Sequence, residues 1–168
     1  PTPAPSVTPA PSALPTPAPS VTAAPTTDGC VSDGTVASAQ KISDSYGGLS
    51  SFYTLEETYD LFGVRSDGIG DLDGDGVADL VVGAIFDDDG VSGSYATGAV
   101  YVLFLTTDAL VKSAQKISNS YGGLTSFYTL DNSDYFGFVC VIGDLDGDGV
   151  ADLVVGATGD GDGGSSAG

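Results

Sequence analysis

The chain has no histidine, no methionine and no tryptophan. Without histidine there is no Ser-His or Cys-His nucleophile pair, no imidazole acid or base, and no zinc site of the usual kind. Basic residues are almost as scarce: Lys41, Arg65, Lys112 and Lys116 stand against 23 acids, for a formal charge of −19. Such a chain repels a phosphate backbone or an anionic membrane surface, which excludes nucleic acid as a partner. No stretch approaches the roughly 18 consecutive apolar residues of a membrane span, and no basic-then-apolar leader opens the sequence, so it reads as a mature chain or a fragment. The only cysteines, Cys30 and Cys140, lack the spacing of a thiolate metal site or a redox pair. One disulfide between them in an oxidising compartment is expected, with unpaired thiols or intermolecular pairing as the alternatives.

Proline is absent after residue 25, and all nine prolines fall within the first 25 residues. "PTPAPSVT" stands at 1–8 and again at 15–22, and the pattern continues to residue 27. Pro1, Pro3, Pro5, Pro9, Pro11, Pro15, Pro17, Pro19 and Pro25 fix φ and remove donors, which favours an extended polyproline II rod with no core. Between them lie Thr2, Ser6, Thr8, Ser12, Thr16, Ser20, Thr22, Thr26 and Thr27. Ser/Thr/Pro tracts of this kind are typical of O-glycosylated stalks, and this one resembles the hydroxyproline-rich segments of algal and plant extracellular matrix glycoproteins. The expected glycosylation positions are these prolines, serines and threonines; the bland alternative is an unmodified linker. Neither Asn119 nor Asn132 begins an Asn-x-Ser/Thr sequon, so N-glycans are not expected.

The rest is a tandem repeat. "SAQKIS" begins at 38 and 113, "YGGL" at 46 and 121, and "SFYTL" at 51 and 126, while "GDLDGDGVADLVVGA" fills both 70–84 and 143–157 without a difference. Strand signals in the first unit are short: 40–43, 51–55, 79–85 and 99–105. Residues 80–82 are an apolar run suited to a strand buried on both faces, and "AVYVLFL" is rich in β-branched and aromatic residues. Four short strands joined by Gly/Asp turns describe one propeller blade. The expected organisation is a rod at 1–27, a first repeat at 28–112 and a second at 113–168.

The repeated acidic stretch carries the chemistry. Asp71, Asp73, Asp75 and Asp79 converge only if the chain curls tightly, and Gly74 and Gly76 permit the positive φ this needs. With the Val77 carbonyl they make a hard-oxygen cage suited to Ca²⁺. The second copy offers Asp144, Asp146, Asp148, the Val150 carbonyl and Asp152. Good turn chemistry explains the glycines, but four crowded acids repel one another without a cation. An EF-hand closes its loop with a Glu at position 12; here that position is Val82 or Val155, inside the apolar strand.

The chain resembles instead the FG-GAP repeat of integrin α-subunit propellers. The likeness rests on Phe62-Gly63 and Phe136-Gly137, on "IGDLDGDGVADLVVGA" from 69 and from 142, and on "GAVYVLFL" at 98–105. It departs where Ile85 and Thr158 replace the proline of "GAP". The resemblance implies an all-β fold of four-stranded propeller blades, one Ca²⁺ per repeat, and an extracellular setting. Acids at 87–89 and at Asp160 and Asp162 read as solvated loop charges, or as contributors to a further cation site. Phe52-Tyr53 and Phe127-Tyr128 read as core and inter-blade packing rather than a sugar platform.

Three functions are compatible with these features: a secreted structural or adhesion module on a glycosylated rod, an integrin-like module binding protein or glycan, and a module of a larger hydrolase. The enzyme reading is weakest, since the evident carboxylates that glycoside hydrolysis would need are committed to cation cages. Near-identical repeats suit a scaffold. The second repeat ends before its own "AVYVLFL", so its blade edge is expected to be met either by a continuation of the chain or by self-association with a neighbouring copy, which propagates as a filament unless rotation closes a ring.

Overall fold

A computed structural model describes residues 35–36, 38–55, 59–89 and 96–161. The chain divides into two compact units, Pro1–Ala39 and Gln40–Gly168. The expected polyproline rod and its glycosylation positions lie outside the described residues, as does Cys30.

The second unit is all-β, with two short 3-10 turns, and its sheets are antiparallel. Strands β1 (Phe62–Gly70), β2 (Asp79–Ala84), β3 (Ala99–Leu105) and β4 (Val111–Ile117) form a four-stranded sheet in sequence order. Strands β5 (Phe136–Gly143) and β6 (Asp152–Ala157) form a second, two-stranded sheet. The centre of the first sheet is apolar on both faces because β2 and β3 are continuous runs. Val82 and Ala84 join Ala99, Tyr101, Leu103 and Leu105 in one core, while Val81 and Val100 turn to the other face and meet Val139 of β5.

The first core is capped by the stretch before β1. Gly47 and Gly48, at φ 75 and 87, turn the chain into a 3-10 turn at Leu49–Ser51, a conformation open to glycine at little cost. That turn drives Leu49 into full burial, and Tyr53 packs edge-on against Tyr101 at 5.5 Å between ring centres. On the opposite face β5 packs against β1, β2 and β3. The approach there is backbone to backbone: a methyl group on Gly83 would overlap the Gly137 carbonyl oxygen, and one on Gly98 would overlap that of Phe136.

Expectation and structure differ at three strands. Residues 40–43 are not a strand; only Ser43 and Tyr46 form an isolated bridge. The second copy of that hexapeptide instead lies largely in β4, pairing with β3 so that Tyr101 faces Lys116 and Leu103 faces Ala114. Residues 51–55 begin at the end of the 3-10 turn and continue without regular structure. β1 has no counterpart in the sequence reading, because glycines interrupt it and two register shifts break its pairing with β2.

Candidate metal centres

Each acidic loop hangs between two antiparallel strands, β1 and β2 for the first and β5 and β6 for the second. The first curls around its own leading acid: the Asp71 carboxylate accepts the N–H groups of Asp75 at 2.9 Å and Gly76 at 2.8 Å. Gly74 and Gly76 sit at φ 77 and 88, as the curl requires. Asp79, fully buried at the head of β2, closes the loop by accepting from Leu72 N–H and anchors it to the core by accepting from Leu105 N–H, each at 2.9 Å. As a result one carboxylate oxygen from each of Asp71, Asp73 and Asp79 lies within 4.8 Å of the others.

The second loop repeats this construction. Asp144 accepts from Gly147 at 2.7 Å, Asp148 at 3.1 Å and Gly149 at 2.9 Å, and Asp152 accepts from Leu145 at 2.6 Å. Gly147 and Gly149 take φ 82 and 90. Asp144, Asp146 and Asp152 converge within the same 4.8 Å. The two loops are neighbours: Asp71 to Gly74 of the first and Gly149 to Ala151 of the second line one cleft of about 430 Å³.

Of the expected side-chain ligands, Asp75 and Asp148 stand apart from these triples. Each accepts the N–H two residues on, Val77 at 2.8 Å and Val150 at 2.7 Å, and so braces its loop. Val77 packs its side chain on the first core, whereas Val150 is largely exposed. Asp75 also binds the ammonium of Lys112, which lies 2.8 Å from Asp73 as well. Lys112 holds the Asp75 carboxyl below the usual range, helped by the Val77 N–H. In turn Asp73 and then Asp75 raise the lysine. A cationic group thus already sits on two of the loop's carboxylates. With hard oxygens held at close range and glycines shaping the curl, the donor set fits Ca²⁺.

Sequence alone marks neither Lys112 nor a second charged cluster. The acids at 87–89 read as solvated loop charges or as contributors to a further cation site; Asp87 is not solvated but 4% exposed. Lys116 lies 2.7 Å from Asp87 and 2.8 Å from Asp89. The Tyr101 hydroxyl donates to Asp87 at 2.5 Å, and the Ser118 hydroxyl donates to Asp89 at 2.7 Å. Burial opposes charge on Asp89, yet the Lys116 ammonium and the Ser118 hydroxyl outweigh it and its carboxyl is lowered. Burial likewise opposes the Lys116 charge, and Asp87 and Asp89 overcome it. The Tyr101 phenol is raised by burial and by the Asp87 charge. A lysine buried on a strand leaves no signal in its own neighbourhood, because its acid partner Asp87 lies 29 residues away.

Asp160 is half-buried and Asp162 lies outside the described residues. Tyr53 does pack between Tyr101 and Tyr121, whereas Phe127 and Tyr128 are mostly exposed. Cys140 has an exposed, free thiol on β5.

Among the described residues no helix is long and apolar enough to cross a membrane. No curated protein and no solved structure matches the chain. Residues 63–103, which run from β1 through the first acidic loop into β3, and residues 136–168, which hold β5, the second loop and β6, both match the family model of the FG-GAP repeat.

Proposed function

We propose that this chain is a secreted, calcium-stabilised structural or adhesion module, non-enzymatic, whose FG-GAP repeats each hold one Ca²⁺ and pack blade on blade outside the cell. One observation carries the reading: two separate loops each bring three carboxylates together on a backbone curled by positive-φ glycines. Asp71, Asp73 and Asp79 hold the first ion and Asp144, Asp146 and Asp152 the second. Asp75, Asp148 and the carbonyls of Val77 and Val150 complete the two shells. The ion supplies the countercharge that lets acids crowd at the rim of a sheet in a chain of charge −19.

In this reading the Pro/Ser/Thr segment at 1–27 is an O-glycosylated spacer. A Cys30–Cys140 bond ties that spacer to the second repeat, and the exposure of Cys140 leaves it accessible to a partner. Copies associate through blade edges into an array or filament, the second sheet being two-stranded among the described residues. Calcium titration followed by calorimetry and by thermal unfolding tests the core of this proposal. Two bound ions per chain and a higher melting temperature support it, and absence of binding removes it. Non-reducing peptide mapping of native material tests the cysteine pair, and finding both thiols free removes that bond.

A further inference from the structure

Lys112 is the extra residue of a β-bulge. In the pairing of β3 with β4, Phe104 lies opposite Ser113 and Leu105 opposite Val111, which leaves Lys112 outside the register. A bulge of this kind re-aims a side chain, and the residue before it is held in place: Val111 is buried in the first core and its N–H bonds the Gly47 carbonyl at 2.8 Å. The lysine is turned to the first acidic loop, where its ammonium lies 2.8 Å from Asp73 and donates to Asp75. The repeat does not dictate this residue, since the position before the other "SAQKIS" is Ala37.

An ammonium at that place does for the empty loop part of what an ion would do. Asp71, Asp73 and Asp79 bring carboxylate oxygens within 4.8 Å of one another, and such charges repel unless a cation offsets them. The same hairpin also reaches the loop through its backbone, because Leu105 N–H donates to Asp79 at 2.9 Å. The loop is thus held to β3 and β4 at two points, a neutral donor on the buried acid and a cation on two exposed ones. Calcium disturbs only the second. It takes about six to eight oxygens at roughly 2.3–2.6 Å, so an Asp73 carboxylate shared between the ion and the ammonium would set two cations a short distance apart, where they repel. The lysine has somewhere to go: its stem is flexible and its side chain is 26% exposed.

We propose that Lys112 is a built-in cation of the first loop, seated on Asp73 and Asp75 when calcium is scarce and displaced when calcium binds. This rests on the calcium reading above and concerns the regulation of one of its sites. Two consequences follow from the geometry. The empty first loop keeps its curl because the ammonium offsets its acids, whereas the second loop, to which no lysine or arginine is salt-bridged among the described residues, has its backbone hydrogen bonds alone. And because an entering ion must expel the ammonium, the first site binds more weakly than its own oxygens would. The first loop holds its shape as calcium falls, and the second depends on the ion.

The test uses the metal-free full chain. Asp144→Ala isolates the first site and Asp71→Ala the second, and Lys112→Met is placed in each. In calorimetric titration with calcium chloride, the lysine change is expected to tighten the first site about fivefold and to leave the second alone. In chelator, denaturant titration of Lys112→Met alone is expected to show a folding equilibrium constant lowered by the same factor, with no difference from wild type at saturating calcium, because the coupling is reciprocal. Hydrogen exchange in chelator is expected to find the Asp75 and Gly76 amides, which Asp71 holds, protected in wild type and faster in Lys112→Met, with the Asp148 and Gly149 amides the same in both. A first site that does not tighten, with stability lowered equally in chelator and in calcium, overturns the displacement, since the lysine then stays beside the ion. Tighter binding with unchanged stability in chelator overturns the support of the empty loop. Either result leaves the two calcium sites standing, whereas no heat of binding at either loop removes the calcium reading itself.

Discussion

The two sheets contain the same fifteen-residue stretch and treat it differently. In both, the loop takes the same path: its leading acid accepts N–H groups four and five residues on, its glycines sit at positive φ, and its last acid accepts from the second residue of the loop. Burial is another matter. Asp79 and Val81 are fully buried, whereas Asp152 is half-buried and Val154 is 50% exposed. The loop is a local structure, written in hydrogen bonds within a few residues, and it forms in either setting. The strand after it depends on its neighbours, and among the described residues β2 has a partner on each side while β6 has one. Local chemistry sets the shape of the site, and the next strand sets its environment.

The strongest way to break the difference is at Lys116, whose counterpart Lys41 is exposed. Lys116→Ala leaves Asp87 and Asp89 buried without their ammonium, and unfolding free energy is expected to fall by about 4 kcal/mol. Lys41→Ala, measured by the same denaturant titration, is expected to change it by less than about 0.5 kcal/mol. Next in size is the glycine pair in the two "VVGA" stretches. Gly83→Ala drives a methyl into the Gly137 carbonyl oxygen, with an expected cost of roughly 3 kcal/mol. At Gly156 the nearest atom to a new methyl is the Phe138 Cβ at 3.4 Å, so Gly156→Ala is expected to be nearly neutral in thermal unfolding. Equal costs at the two glycines would mean that the sheets are not in backbone contact.

Acid should separate the two sheets as well. The Asp89 carboxyl is lowered in the folded state, so its contribution is complete above its ordinary value near pH 4 and is lost as pH falls through the lowered folded value. Lys116 is raised, so its contribution is complete below its ordinary value of about 10.5 and is lost as pH climbs through the raised one. Stability curves of wild type and Lys116→Ala should therefore converge at both extremes, and parallel curves would rule the cluster out as the source. The smallest effect concerns calcium itself. Lys112 occupies Asp73 and Asp75 of the first loop, and no salt bridge to a lysine or arginine is seen at the second loop among the described residues. Lys112→Met is expected to tighten the first site by about 1 kcal/mol, roughly fivefold, with the second unchanged. Calorimetric titration of the variant checks this.

How far the sequence could be read follows the same division. The curl of the acidic loops and the convergence of three acids in each were legible because alternating acids with interleaved glycines imply that curvature within nine residues, although Asp75 and Asp148 brace the backbone rather than join the converging triples. Strands β2 and β3 were legible as apolar runs. β4 was not, since "VKSAQKI" buries a lysine on its inner face and reads as a polar segment. The first copy of its "SAQKIS" has no neighbouring strand among the described residues and stays irregular. β1 was hidden by glycines that serve its bulges. Asp87 and Asp89 carried no mark of burial, because their ion-pair partner is a lysine two strands further along the chain.

Calorimetric titration of the metal-free full chain with Ca²⁺ tests the central claim most directly. Two ions per chain are expected, with Asp71→Ala and Asp144→Ala each removing one, and a melting temperature that rises with calcium and falls with chelator. At a free calcium about one hundred times the dissociation constant, each site should add about 2.7 kcal/mol of stability. No heat of binding, or a melting curve indifferent to both calcium and chelator, would contradict the account.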